Sequence, residues 1–211
     1  MNDARDLARE LRTLNFDVIH KEDANQRSME DNIREFGKLL RKGGVGLFYF
    51  AGHGIQVRDR NYLIPIGAQI KKETDVKYEA VDAGRILDEM YDADNRLNIV
   101  ILDACRDNPY ARSFRSATRG LARMDAPQGT LIAYATAPGS TASDGSGSNG
   151  VYTKYLMKYM RTPGLPIEKV LKNVRIEVVR ETAKKTDSLG ILLADGRFLF
   201  SEALSRGHSF C

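Results

Sequence analysis

One histidine and one cysteine of this chain, types that can do covalent chemistry at neutral pH, each follow a long run of apolar residues. His53 follows VGLFYFAG and Cys105 follows LNIVILDA. A thiol and an imidazole are the minimal parts of a nucleophilic dyad. Free cysteine, with a pKa of about 8.5, is only a few per cent thiolate at neutral pH, and a nearby imidazolium enlarges that fraction. Acyl transfer also needs N–H donors for its oxyanion. The Gly54 N–H, beside the histidine, suits that role because no Cβ blocks a substrate. A lone cysteine after a strand is more often an inert core residue, and a lone histidine is more often structural. Both at equivalent strand ends, with the histidine between Gly52 and Gly54, reverse that preference. The flanking glycines read as a sharp turn that carries the imidazole.

The elements that must position this pair alternate between helical and strand patterns. Asn2 or Asp3 can cap a first helix with Leu7, Leu11 and Leu14 on one face, and FDVIH (16–20) reads as a strand. Ser28 with Asp31 resembles the capping start of a helix that carries Ile33, Phe36, Leu39 and Leu40 and stops at Gly43-Gly44. VGLFYF (45–50), LNIVILDA (97–104) and TLIAYAT (130–136) are continuous apolar runs of the kind buried on both faces of a parallel sheet. YLIPI (62–66) is a short strand that Pro65 restricts to an edge or an end. Asp82 caps a helix to about Tyr91, and two helices follow from VYTKYLMKYM and from PIEKVLKNVRIEVVRETA, with GILLA and RFLF as short strands. This alternation predicts an α/β fold with a mainly parallel sheet, whose functional groups collect at the carboxyl ends of the strands.

Composition narrows the rest. At 211 residues the chain suits one medium domain, with residues 1–200 as the domain and 201–211 as a disordered tail that leaves His208 and Cys211 outside the chemistry. The 32 bases exceed the 28 acids only slightly and are interspersed with them, so no nucleic-acid partner is expected. Two cysteines imply no disulfide framework and fit a reducing, cytoplasmic compartment. No apolar run reaches the roughly 18 residues of a membrane helix, so no membrane partner is expected. The string from Gly145 to Gly150 matches a dinucleotide fingerprint in letters, but polar residues separate it from the preceding strand, against the strand–turn–helix context that motif needs. No His/Cys cluster has metal-ligand spacing.

With those residues in hand, a resemblance is evident. Asp103-Ala104-Cys105-Arg106-Asp107, with a histidine about 50 residues upstream, resembles the caspase signature around the nucleophile. AGHG, NYLIP, ILDACRDNP, GTLIAYATAPG and the Asn149-Gly150 before VYT follow in order, so that residues 2 to about 182 resemble the bacterial caspase-like peptidases (orthocaspases), relatives of metacaspases and paracaspases. The resemblance implies a three-layer α/β/α sandwich and a cysteine endopeptidase that acts on proteins or peptides. It makes His53 the general base, Cys105 the nucleophile, and the N–H groups of Gly54 and Cys105 the oxyanion hole. Relatives open with an apolar strand that lies centrally, between the counterparts of FDVIH and VGLFYF, and part of the P1 pocket comes with it. That strand is absent here.

Specificity follows from two further positions. Where caspases use a glutamine and an arginine to bind an aspartate side chain at P1, this chain carries Asp103 and Asp144. Opposite unit charges about 4 Å apart attract by roughly 4 kcal/mol at an effective dielectric of 20, which favours arginine or lysine at P1. The competing readings are a strand-end acid that caps backbone N–H groups for Asp103 and a solvated loop acid for Asp144. Arg112, Arg115 and Arg119, in the basic segment 106–129, are candidate self-cleavage sites, with a solvated basic loop as the competing reading. No cofactor is expected. Gly67 stands where relatives with a YLIPVD pattern place an acid, so no calcium requirement is expected either. The alternative to a peptidase is a catalytically silent caspase-like scaffold that binds partners.

Overall fold

The computed structural model describes residues 2–105, 121–135, 149–182, 191–192 and 207–210. Helix α1 (Asp3–Thr13) buries Leu7 and Leu11, four residues apart, on one face. Strand β1 (Phe16–Ile19) follows, then α2 (Gln26–Leu40). The cap of α2 differs from expectation: Asn25, not Ser28, sits at the N-cap, and its side chain accepts the Ser28 N–H at 2.9 Å. Gly43 ends that helix region at φ +87°, a backbone state that costs glycine nothing.

Strand β2 (Val45–Val57) is longer than the apolar run that announces it. The Gly52-His53-Gly54 stretch is not a turn, as expected from the glycines, but the interior of this strand. Neither glycine has positive φ; the backbone reverses only at Arg58 (φ 49°) and Asp59 (φ 61°), the two-residue reversal with two positive φ values that suits a twisted hairpin. Strand β3 (Arg60–Ile64) then returns antiparallel to β2 and ends before Pro65. A short 3₁₀ turn (Glu73–Asp75), α3 (Val76–Glu79) and β4 (Val81–Asp82) lead to α4 (Gly84–Ala93), where Asp82 Oδ1 accepts the Gly84 N–H at 2.8 Å. Strands β5 (Leu97–Cys105) and β6 (Thr130–Tyr134), helices α5 (Val151–Met160) and α6 (Ile167–Glu181), and the short strands β7 (Ile191–Leu192) and β8 (Gly207–Phe210) complete the order. The expected RFLF strand lies outside the described residues.

The central sheet runs β1-β8-β2-β5-β6-β7, with β3 and β4 extending from the far end of β2. Strands β1, β8, β2, β5 and β6 are parallel, and β7 is antiparallel at one edge. On one face Leu7, Leu11, Leu156, Val170 and Val174, from α1, α5 and α6, meet Leu47, Tyr49, Ile99 and Ile101. On the other, Ile33, Phe36 and Leu40 of α2 and Ile86 and Met90 of α4 meet Phe48, Val100 and Leu102. Helices on both faces of a mainly parallel sheet make the three-layer α/β/α sandwich expected from the sequence. No described helix is long and apolar enough to cross a membrane.

The expectation of a disordered tail fails at Gly207–Phe210. Those residues are β8, inserted between β1 and β2 and paired in parallel with both: Phe16 and Val45 each lie opposite Gly207, and Ile19 and Phe48 opposite Phe210. This is the place where the sequence comparison left a strand missing. Without β8, β1 and β2 would each present an unpaired ladder, and pairing both outweighs the poor strand propensity of Gly-His-Ser-Phe. Phe210 stacks on Phe48 with ring centroids 5.1 Å apart and 12° between planes.

Candidate active site

The parallel ladder between β2 and β5 sets the site. Its register runs Tyr49↔Ile101, Ala51↔Asp103 and ends at His53↔Cys105. Neighbouring parallel strands lie roughly 4.8 Å apart. The two residues singled out for nucleophilic chemistry are therefore direct cross-strand neighbours at the carboxyl edge of the sheet. His53 is exposed.

Side chains alternate along a strand, so Tyr49, Ala51 and His53 share the face of β2 that α1 and α5 cover. On that face Asp103 is buried. Its Oδ2 accepts the Thr153 hydroxyl at 3.0 Å and the Tyr49 hydroxyl at 3.3 Å, while Tyr49 and Thr153 bond each other at 2.7 Å. Burial pushes the Asp103 carboxyl up, to about 6; Asp3 adds to the rise by like-charge repulsion, and the bonds from Thr153 and Tyr49 offset part of it. Tyr152, buried next to this group, has no hydrogen-bond partner for its hydroxyl among the described residues, and burial together with Asp103 raises its pKa.

The sequence offers Asp3 only as a candidate helix cap; Asn2 holds the N-cap position and Asp3 has another role. An acid in the first turn of a helix is ordinarily explained by the helix dipole, so nothing local marked that role. Here it is buried, and its Oδ1 accepts the Gly150 N–H at 2.8 Å. Asp6, one turn on, accepts the Asn149 side-chain amide at 2.9 Å. The first turn of α1 thus holds the entrance to α5, and Asp3 and Asp103 form a buried, like-charged pair there. Glu10 fastens the other end of α1 through both carboxylate oxygens, to Arg161 Nε at 2.8 Å and Nη2 at 2.5 Å.

The opposite face of the same edge is apolar. Gly54 and Ala104 lie there against Leu121, and a Cβ on Gly54 would stand 2.9 Å from Leu121 Cδ2 and 3.3 Å from the Ala104 Cβ. Gly54 leaves room for this close approach and has no positive φ that would call for glycine. Asp144, Arg112, Arg115 and Arg119 lie outside the described residues. Among the described residues no group of three or more His, Cys, Asp or Glu side chains gathers as a metal site.

The model of the caspase domain family matches residues 1–189. The chain belongs to the caspase domain family. It is also 28% identical over 157 residues to the human mucosa-associated lymphoid tissue lymphoma translocation protein 1 and, to the same extent, to its mouse homolog. The match covers 73% of this chain and 18% of either relative, so the chain corresponds to less than a fifth of their length. Membership in this family supports a caspase-family protease.

Proposed function

We propose that the chain is a cysteine endopeptidase that cleaves after arginine or lysine. The single observation that carries this reading is the cross-strand pair His53↔Cys105 at the carboxyl edge of two central parallel strands. His53 takes the Sγ–H proton, and the thiolate attacks the scissile carbonyl carbon. The resulting oxyanion is met by the N–H groups of Gly54 and Cys105. Its collapse breaks the C–N bond as His53 returns the proton to the leaving amine. Water, deprotonated by His53, then hydrolyses the thioester and regenerates the thiol.

The preference for a basic P1 side chain rests on Asp103, with Asp144, outside the described residues, as the second acid. The buried Asp3 beside Asp103 strengthens this reading. Two carboxylates brought together out of water repel, and a guanidinium or ammonium between them turns that repulsion into attraction. Neither metal nor cofactor enters these steps. Self-cleavage at Arg112, Arg115 or Arg119 would leave the halves together, because β5 and β6 on either side of that segment are hydrogen-bonded neighbours.

The test is hydrolysis of matched fluorogenic peptides with Arg, Lys or Asp at P1, by wild type and Cys105→Ala, with and without calcium. Cleavage after Arg or Lys that disappears in Cys105→Ala is expected. Preference for Asp at P1 would overturn the specificity. No hydrolysis by folded wild-type protein would leave a partner-binding scaffold.

A further inference from the structure

The geometry points to Asn61 as a positioning residue that fixes the Gly54 peptide from behind the sheet, through Ala122 and Leu121. The placement is structural; its catalytic consequence rests on the proposed role of the Gly54 N–H in the oxyanion hole.

Asn61 lies in β3, opposite Gln56 in the hairpin, and is 2% exposed. Its carboxamide bonds both backbone groups of a single residue: Nδ2 donates to the Ala122 carbonyl at 2.7 Å, and Oδ1 accepts the Ala122 N–H at 2.6 Å. This two-way bond does for Ala122 what a neighbouring strand would do. Residues 121–127 have no regular secondary structure, so no ladder holds them in place. A second anchor comes from Tyr134 at the end of β6, whose hydroxyl accepts the Met124 N–H at 2.9 Å and donates to the Ala122 carbonyl at 3.2 Å.

The clamp determines where Leu121 goes. Leu121, 4% exposed, fills the space under Gly54 and beside Ala104, its Cδ2 2.9 Å from where a Cβ on residue 54 would stand. Gly54 is also the first residue of β2 past the end of the β5 ladder, whose last pair is His53↔Cys105. From there on the strand is held by β3 on one side and backed by Leu121. Asn61 therefore joins three things: the hairpin that carries Gly54, the chain that returns from residues 106–120, and the apolar floor under the proposed oxyanion donor. Loosening that floor moves the donor without touching either member of the dyad, and displacements of about 1 Å at such a donor can cost on the order of a hundredfold in rate.

The experiment compares Asn61→Ala, Asn61→Asp, Leu121→Ala and Tyr134→Phe with wild type by two readouts, the hydrogen exchange of the Gly54 amide and the separate values of kcat and KM on an Arg-P1 peptide. Asn61→Ala and Leu121→Ala are expected to speed Gly54 exchange while that of Val45–Phe50 stays unchanged, and to lower kcat roughly tenfold or more with KM nearly constant. Asn61→Asp keeps the acceptor but cannot donate to the Ala122 carbonyl, so it should fall between wild type and alanine; Tyr134→Phe, which removes the second anchor and leaves no cavity, should be the mildest. Unchanged Gly54 exchange in folded Asn61→Ala overturns the inference. So does a loss of activity that only follows the fraction unfolded. If wild type shows no hydrolysis that depends on Cys105, the functional reading fails on its own control, and the Gly54 exchange alone still decides whether Asn61 positions that peptide.

Discussion

Strands β5 and β8 occupy equivalent places in the sheet and are built from opposite materials. Each lies between two parallel neighbours. Strand β5 runs through LNIVILDAC, with Ile99, Val100, Ile101 and Leu102 buried on both faces. Strand β8 is Gly-His-Ser-Phe, and both His208 and Ser209 are buried. The one buried charge of β5, Asp103, is bonded by Thr153 and Tyr49, whereas the Ser209 hydroxyl of β8 has no hydrogen-bond partner among the described residues. A central strand can thus be specified by its own composition or by the vacancy it fills. The second kind is held by backbone pairing on two sides and by Phe210 against Phe48.

The contrast is broken most severely by removing the strand that the vacancy specifies. A chain ended at Arg206 should lose cooperative unfolding and associate through the exposed ladders of β1 and β2, which a thermal melt with light scattering will show. If it melts as wild type does, β8 contributes nothing to the sheet. The next effect is that of Asp103→Asn. The carboxyl of Asp103 sits near 6 in the fold and at about 3.9 in an unfolded chain, so the fold binds its proton more tightly. Wild-type stability should therefore decline by roughly 2 kcal/mol as pH rises from 4 to 6, and the asparagine variant should lack that decline in denaturant titrations across this range. A slope shared by both proteins would place the titration elsewhere. Smallest is Ser209→Ala, expected to stabilise by about 1 kcal/mol because it removes a buried hydroxyl that lacks a partner. A destabilised Ser209→Ala would reveal that the hydroxyl does have one.

The same contrast explains what could be read before the structure. The apolar runs of β2, β5 and β6 are local signals, and so is the four-residue spacing of Leu7 and Leu11. They locate the sheet, its helices and the edge where His53 and Cys105 meet. The sequence reads these residues as equivalent strand ends, and the register that pairs them directly is supplied by the structure. Gly54 misled because a close approach by Leu121, far along the chain, looks in sequence like a need for curvature; Gly52 instead lies against the Phe50 ring. Asp3, Asn61 and β8 were illegible for a shared reason: each owes its place to a partner elsewhere, namely Gly150, Ala122, and the gap between β1 and β2. Tyr49 and Thr153 were half legible. Strand alternation puts Tyr49 on the face of His53, but nothing in the sequence brings the first turn of α5 to Asp103.

The position of β8 also sets an order of events during synthesis and folding. Val45 and Phe48 emerge early yet find their partners in Gly207 and Phe210, across most of the chain. Closing so large a loop is entropically costly and slows the last step of assembly. Until β8 arrives, Phe48 lacks the ring it stacks on, and an exposed apolar ring of this kind invites chaperones or non-native association. The slowest kinetic phase of refolding should accordingly coincide with the stacking of Phe210 on Phe48.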